Sequence, residues 1–418
     1  MAKVLFLPVG IGLAHTGRCI MIAHELEKLG IKVIFGAGGE APEILKKEQL
    51  PYQILPEFRR DAYEKIVKDN NWNIYTTSVI DSFVKAEVSL IKKEKPDLIV
   101  SDTRITAKIS SKMTRITQIA VNNVDVTKYY DFAKIKIPHK SFFRKVLPRK
   151  VDEFLDKERG QRVLKRLAPR VVRTLFLRTL LKFNFVMAKY HLKPLLDPYD
   201  MALGDLTLLA DIPQFRPVKK LPPNIKMVGP IFWEGFATLP SWAKEIDNNK
   251  NIIYVTASGT GDKEVFIRVL KYFQNTSYTI VATTGNTLTP DEVDFRYPKL
   301  FITDFIPGKW IMRIAKLIIF PGGNATSYQA LKYGVPQIGI PLHLDQEDNL
   351  NQLERLGTGV TLFPDKNLNR KNLLETVDKI LKDKTYRENA RKISLILGNY
   401  NGARKAAFEI TDFLKKVQ

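Results

Sequence analysis

The sequence predicts an α/β protein made of two doubly wound, parallel-stranded domains in tandem. Three observations carry that expectation. The chain has 418 residues, too many for one ordinary domain and suited to two or three. Short apolar runs alternate with helical patterns, as parallel strands joined by crossover helices require. The alternation comes as two series, parted by a turn-rich stretch without a clean period, FWEGFATLPSWAKEIDNNK at 232–250.

The first series opens on KVLFLPV. One Lys precedes the apolar run, as in a secretion signal, but the run leads into Gly10, Gly12 and a helical pattern with no cleavage context. It therefore reads as a buried parallel strand. TGRCIMIAHELEKLG is a helix stopped by Gly30. IKVIFGA is a strand, YTTSVIDSFVKAEVSLIKKEK a helix closed ahead of Pro96, DLIVSD a strand, ITAKISSKM a helix and ITQIAV a strand. Residues 139–193 interrupt this rhythm with a long, basic helical insertion. LTLLADI (206–212) and IKMVGPI (225–231) then resume it as strands.

The second series begins at Asn251. Its strands are IIYVTAS, YTIVAT, LFITDF, KLIIF, PQIGIP and GVTLF, with helices at DKEVFIRVLKYFQ, KWIMRIA and QEDNLNQLERLG. An amphipathic stretch follows the small-residue turn PGGNATSY, and two further helices close the chain. Right-handed crossovers put the C-terminal ends of the strands of each sheet on one rim, where ligands bind. The expected picture is two Rossmann-like domains facing each other across a cleft.

Charge narrows the partners. The formal net charge is +22, and residues 139–193 hold 16 Lys/Arg against 4 Asp/Glu. Such a patch favours a phospholipid surface, nucleic acid or an acidic substrate. Within it, RVVRTLFLRTLLKFNFVMAKYH (170–191) sets Leu175, Phe176, Leu180, Phe183 and Met187 among Arg173, Arg178 and Lys182. This is either a basic amphipathic helix lying on an anionic membrane, or a helix packed under an acceptor site with solvated charges. No nucleic-acid motif accompanies the basic stretch, so nucleic acid is not expected as a partner. The single cysteine, Cys19, excludes an intrachain disulfide and fits a reducing, cytoplasmic compartment. No uncharged run of ~18 apolar residues predicts a transmembrane helix. The five histidines lack the spacing with carboxylates that would suggest a metal site.

Several ligand-rim residues can do chemistry. His15 follows the glycines that end the first strand, Gly10 and Gly12, and stands just before a helix. A neutral imidazole there can take a proton from a substrate hydroxyl, or it can merely cap the helix. Asp102 ends a later parallel strand on the same rim. It can fix the tautomer of His15 and stabilise the imidazolium, or cap the next helix. Asp97, at the other end of that strand, is expected to be a solvated turn residue. Ser258, Gly259 and Thr260 form a strand-to-helix loop whose amides and hydroxyls suit phosphate. The turn with Gly322, Gly323, Asn324 and Thr326 repeats that design, which suggests a diphosphate held between two helix N-termini. Asp345 and Gln346 place a carboxylate beside an amide, suited to paired sugar hydroxyls, or Asp345 is a helix cap.

Together these stretches resemble the GT-B glycosyltransferases, specifically the UDP-glycosyltransferase family that includes macrolide-modifying and glucuronosyl enzymes. GLAHTGRCIMIAHELEKLG is similar to the family's N-terminal motif, and Val228, Gly229 and Pro230 match its VGP ahead of the linker. PGGNATSYQALKYGVPQIGIPLHLDQEDN matches its long donor signature. The resemblance covers most of the chain. It implies an acceptor-binding domain over residues 1–235, a nucleotide-sugar domain over 236–395, and a C-terminal helix, 396–418, returning to the first domain.

The resemblance also implies site roles. His15 looks like the base and Asp102 its partner. Ser258, Gly322, Gly323 and Thr326 match donor-phosphate positions, and Asp345 with Gln346 the pair that binds the transferred sugar. Phe305, Ile306 and Pro307 match the segment that packs on the nucleotide base. The implied reaction is inverting transfer of a hexose from a nucleoside diphosphate, UDP by family default, to an acceptor hydroxyl that could belong to a lipid. It needs no metal or other cofactor. Two departures stand out: Pro321 replaces the signature histidine, and Gln329 the glutamate that usually binds the ribose. Proline supplies neither an amide proton nor a side-chain donor, so one phosphate contact is lost. A degenerate nucleotide-sugar-binding protein and a sugar-nucleotide epimerase of the same fold are the alternatives.

Overall fold

The computed structural model describes residues 2–60, 62, 74–139, 154–155, 157–246, 251–285 and 287–417. Part of the basic insertion (140–153 and 156) and the end of the turn-rich stretch (247–250) lie outside the described residues. The chain divides into two compact units. Among the described residues, the first takes in the chain up to Ile137, the segment ending at Trp233, and everything from Tyr400 on. The second comprises Glu234–Asn399 with Pro138 and His139.

The first unit is built on a seven-stranded sheet: β1 (Lys3–Pro8), β2 (Lys32–Ala37), β3 (Tyr52–Ile54), β4 (Leu98–Asp102), β5 (Gln118–Asn122), β6 (Leu206–Leu209) and β7 (Ile225–Met227). Its spatial order is β3-β2-β1-β4-β5-β6-β7, and every pairing is parallel. The strand residues alternate between two cores, as a sheet buried on both faces must. Val4, Phe6, Val33, Phe35 and Val100 face one way and pack on Ile20, Ala23 and Leu26 of α1 (Leu13–Lys28). Leu5, Leu7 and Ile99 face the other and pack on Leu90 and Ile91 of α3 (Thr77–Glu94), the helix that follows the short α2 (Ala41–Lys47). α4 (Ala107–Thr114) then links β4 to β5.

The long basic helix α5 (Glu158–Lys189) reaches the first unit through Leu180, Phe183, Val186 and Met187, which pack with Ile80, Val84 and Val88 of α3. This corrects the expected membrane face. Phe183 has no exposed surface, Leu180 and Met187 are buried, and Phe176 is half-buried. They hold the helix to the protein and offer a bilayer little. Arg173 and Arg178 are exposed and Lys182 is half-buried.

The second unit repeats the design with six parallel strands: β8 (Ile252–Thr256), β9 (Thr279–Thr283), β10 (Leu300–Thr303), β11 (Leu317–Phe320), β12 (Gln337–Gly339) and β13 (Gly359–Thr361). Their order is β10-β9-β8-β11-β12-β13. The helices are α6 (Lys263–Tyr272), α7 (Gly308–Ile314), α8 (Asn324–Lys332), α9 (Leu344–Arg355), α10 (Arg370–Lys382) and α11 (Lys384–Gly398). A last helix, α12 (Gly402–Val417), belongs to the first unit, where Ala403, Ala406, Ala407 and Ile410 join the core beside Ile20.

Three expectations change. The end of the chain forms three helices, because the run Asn399–Tyr400–Asn401 breaks it between α11 and α12. α2 and the three-residue edge strand β3 had no visible period in the sequence. α1 and α9 begin earlier than expected, so His15 and Asp345 sit in first helical turns rather than ahead of them.

Ile410 is fully buried in the core that α12 shares with α1. Ile410→Ala is expected to cost about 2–5 kcal/mol, read as an earlier urea-unfolding transition with an unchanged slope.

Candidate active site

In each sheet the first strand lies centrally, and the chain reverses its direction of growth beside it. β1 neighbours β4, and β8 neighbours β11. Helices leave such neighbours toward opposite faces, which opens a crevice at the C-terminal ends of the two strands. In the first unit His15 and Asp102 lie at that point; in the second the loops after β8 and β11 lie there, while Phe305–Pro307 follow the edge strand β10 and Asp345 with Gln346 follow β12.

In the first unit, Pro8 pairs with Asp102 and the amide of Val9 donates to the Asp102 carbonyl at 3.0 Å. The turn after β1 therefore lies against the end of β4. Gly10 is buried in this turn: a Cβ there would lie 2.0 Å from the Gly38 carbonyl oxygen. Its amide donates to Glu57 Oε2 at 2.8 Å. Glu57 and Glu87 share the buried guanidinium of Arg104, at 3.1 and 2.6 Å. That ion cluster ties the turn to α3. Gly12 is exposed at φ 76 and precedes α1 with open space where a side chain would be. Of the two glycines, only Gly12 leaves room for a ligand.

His15 occupies the first turn of α1 and keeps 21% of its side chain exposed. Its Nδ1 lies 2.7 Å from Oδ1 of Asp102, which has no exposed surface. Neither side chain caps a helix: Gly12 precedes α1, and Thr106 precedes α4. The carboxylate is held from several sides. Arg18, one turn on from His15, donates Nε to Oδ2 at 2.8 Å and Nη2 to Oδ1 at 2.6 Å. Thr103, at the strained φ of 58 for a β-branched residue, adds its hydroxyl to Oδ1 at 3.1 Å. Nη1 of Arg18 donates to Asn123 Oδ1 at 2.6 Å. Burial alone would raise the Asp102 carboxyl, but Arg18 and His15 outweigh it and hold it below the ordinary carboxylate range.

An ionised Asp102 accepts at Oδ1, so it selects the tautomer of His15 with its proton on Nδ1. Nε2 is then left with its lone pair. Sequence reasoning missed Arg18, Thr103 and Asn123. Arg18 alone left a signal, since it follows His15 at the i, i+3 spacing that puts both on one helix face. Asp97 lies at the opposite end of β4, where its carboxylate accepts the amide of Lys3 at 2.7 Å.

In the second unit the two expected phosphate loops are neighbours, following β8 and β11, but they are not equivalent. The N-terminus of α6 is already capped by Asp262, whose carboxylate accepts from Val265 N at 3.0 Å. A phosphate would meet a carboxylate there, so the symmetric pair of helix termini is corrected to one. Ser258 stands at φ 55, and its buried Oγ has no hydrogen-bond partner among the described residues. Gly259 leaves open space where a Cβ would be.

The other terminus differs. α8 starts after Gly323, which provides no side-chain cap and also has open space at its Cβ position. Pro321 and Gly322 are buried; Gly323, Asn324 and Thr326 are half-buried. Gly322 has φ 108, and a Cβ would lie 2.9 Å from the Gln346 carbonyl oxygen. Its own carbonyl accepts from Asn349 Nδ2 at 2.8 Å. The buried Oδ1 of Asn324 has no hydrogen-bond partner among the described residues. First-turn amides without a capping side chain leave this terminus, unlike that of α6, with donors that an anion could meet.

Asp345 is exposed in the first turn of α9, after His343 at the cap position. Gln346, expected at a sugar, is fully buried. Its Oε1 accepts from Leu342 N at 2.8 Å, and its Nε2 donates to Thr260 Oγ1 at 3.0 Å. Gln346 and Thr260 thus brace the loops after β8 and β12 against each other, leaving Asp345 as the polar group turned to solvent. Phe305 is exposed, Ile306 is buried, and Pro307 stands at the cap of α7. Gln329 lies against the next residue, Gly308, where any Cβ would meet its amide at 2.0 Å. Phe305–Pro307 and Gln329 are thereby brought together. Among the described residues no group of three or more His, Cys, Asp or Glu is placed to hold a metal ion. No helix of the described residues is long and apolar enough to cross a membrane.

Comparison with known proteins gives this geometry its context. Residues 275–401 match the family of erythromycin biosynthesis protein CIII-like C-terminal domains. A "PGL/p-HBAD biosynthesis glycosyltransferase" of Mycobacterium tuberculosis is 26% identical over 95% of this chain and 89% of its own length. A "PGL/p-HBAD biosynthesis rhamnosyltransferase" of Mycobacterium bovis is 26% identical over 95% of this chain and 84% of its own. The solved structure of the glycosyltransferase VinC, in complex with DTDP, superposes with a TM-score of 0.70 at 13% identity, covering 100% of both chains. The chain is a glycosyltransferase of the GT-B fold.

Three outcomes test the local chemistry of this glycosyltransferase. Asp102→Asn leaves the guanidinium of Arg18 buried without its counter-charge, and is expected to cost about 3–5 kcal/mol in urea unfolding. In the wild type, the depressed Asp102 carboxyl stabilises fully above its unfolded pKa of about 3.9. That contribution is lost as pH falls through the lower folded value, so acid titration of the melting temperature should show the loss and Asp102→Asn should flatten it. Gly322→Ala combines a positive φ with the Gln346 clash, and is expected to destabilise the second unit by about 1–3 kcal/mol in the same assay.

Proposed function

We propose that this glycosyltransferase moves a hexose from a nucleoside diphosphate to an acceptor hydroxyl with inversion. One observation carries the reading: a partly exposed imidazole, His15, whose Nδ1 is bound at 2.7 Å to a buried carboxylate held ionised by Arg18. Nε2 of His15 accepts the proton of the acceptor hydroxyl as its oxygen attacks the anomeric carbon. The bond from that carbon to the diphosphate oxygen breaks, and the nucleoside diphosphate leaves with the electron pair. Asp102 stabilises the imidazolium so formed.

The leaving diphosphate gains negative charge, which the uncapped first turn of α8 would meet with Gly323 and the Thr326 hydroxyl, helped by Ser258 and Gly259. Asn324 and Ser258, with their unpartnered buried oxygens, supply further polar contacts. Asp345 takes hydroxyls of the transferred sugar; Phe305, Ile306, Pro307 and Gln329 take the base and ribose. In this scheme amides and a helix dipole do the work for which other transferases use a metal. VinC with DTDP supports a thymidine donor beside the UDP first expected, and the relative named a rhamnosyltransferase supports a deoxyhexose. An apolar, lipid-linked acceptor delivered at a membrane fits the basic insertion.

A nucleotide-sugar-binding protein without turnover is the second reading, favoured by buried Pro321, which brings no donor to the phosphate site. His15→Ala separates the two. Under the transfer reading it lowers the rate of nucleoside diphosphate release by about 10²–10⁴. The thermal shift produced by UDP or DTDP should be unchanged, since His15 is not a donor-binding residue. Nucleotide-induced shifts without acceptor-dependent release in the wild type would favour the second reading.

A further inference from the structure

We infer that α5 carries a docking surface for an anionic lipid bilayer, on the side opposite the one that holds it to the first unit. The inference does not depend on the transfer reading. α5 is apolar on two opposite faces. The inner face, with Leu164, Leu180, Phe183, Val186 and Met187, is buried. The outer face has Val163 at 49% exposure, Leu167 at 45%, Leu177 at 39%, Leu181 at 68% and Phe185 at 68%. At about 100° per residue these five fall within roughly 80° of arc, about half a turn from the buried face. Residues 163 to 185 span about 33 Å of helix. A helix on the surface of a soluble protein should be polar on its outer side. Arg170 and Thr174 fall inside this arc and part it into two exposed apolar patches, Val163 with Leu167 and Leu177 with Leu181 and Phe185. Exposed apolar patches of this kind mark an interaction site.

Charge selects the occupant. The helix has nine Lys/Arg and a single acidic residue, Glu158 at its start. On the helical wheel, Arg159 and Arg166 border the stripe on one side, Arg178 and Lys189 on the other, and Arg170 lies within it. A second copy of the chain laid face to face would oppose these cations with their own kind. Anionic lipid headgroups answer them, while the acyl boundary takes up Leu181 and Phe185 and the long basic side chains reach back to the phosphates. This face replaces the one that the sequence suggested.

Co-sedimentation of the full chain with vesicles tests it. With phosphatidylcholine containing about one third phosphatidylglycerol, binding should exceed that to pure phosphatidylcholine by at least about tenfold. It should fall when salt rises from about 0.1 M to about 0.5 M. The double variant Leu181→Asp, Phe185→Asp should bind at least about tenfold more weakly. Phe408→Asp, at a side chain 67% exposed on α12, should bind like wild type. The melting temperatures of both variants should match wild type, since the changed side chains are exposed. Equal binding to neutral vesicles, or wild-type binding by the double variant, overturns the inference. So does an absence of vesicle binding, and a wild-type dimer in sedimentation velocity that the double variant dissolves would then assign the face to a second copy.

Discussion

A carboxylate without exposed surface must be compensated or it will not stay ionised, and Asp102 is compensated three times over. The guanidinium of Arg18 grips both oxygens, the imidazole of His15 takes one, and the Thr103 hydroxyl adds to it. Burying such an ion costs several kcal/mol, which only close and well-directed partners offset. Everything around it follows from that demand. The first turn of α1 must lie against the end of β4, the turn between them must be narrow enough for Gly10, and the imidazole must present its other nitrogen outward. The arrangement that keeps the charge stable also orients His15.

The second unit solves a different electrostatic problem with the same topology. Its two loops at the sheet reversal look alike as strings of small residues, yet one helix terminus is closed by its own Asp262 and the other is left open after Gly323. The open end is fixed in place by buried amides: Asn349 holds the Gly322 carbonyl, and Gln346 spans Leu342 and Thr260. Such bracing lets backbone amides be aimed in advance, which is what makes dipoles effective against charge that develops during a reaction. Pro321, buried at the head of this turn, contributes shape and no donor.

α5 shows how one sequence pattern can hide two faces. Leu and Phe recur along it at spacings that fit either side, and its basic residues fill the angles between. Only the packing of Phe183 and Met187 against α3 tells which side is inside. That decision turns Leu181 and Phe185 outward, where composition alone had placed neither.

The class of fold was legible in the residues alone, because the alternation of short apolar runs with amphipathic stretches leaves few other ways to bury them. The residues also determined that His15, Asp102 and the glycine turns would lie at strand ends, since strand-to-helix order places them there. The long donor signature carried the enzyme class. Which strand ends are neighbours, and so that His15 meets Asp102, became visible with the folded chain. It alone showed that Arg18 completes the ion cluster, that Gln346 turns inward while Asp345 stays out, and that Asp262 closes one of two similar loops. These are facts about contacts between residues up to about ninety positions apart. Periodicity records which face a residue takes, but not which partner waits on it.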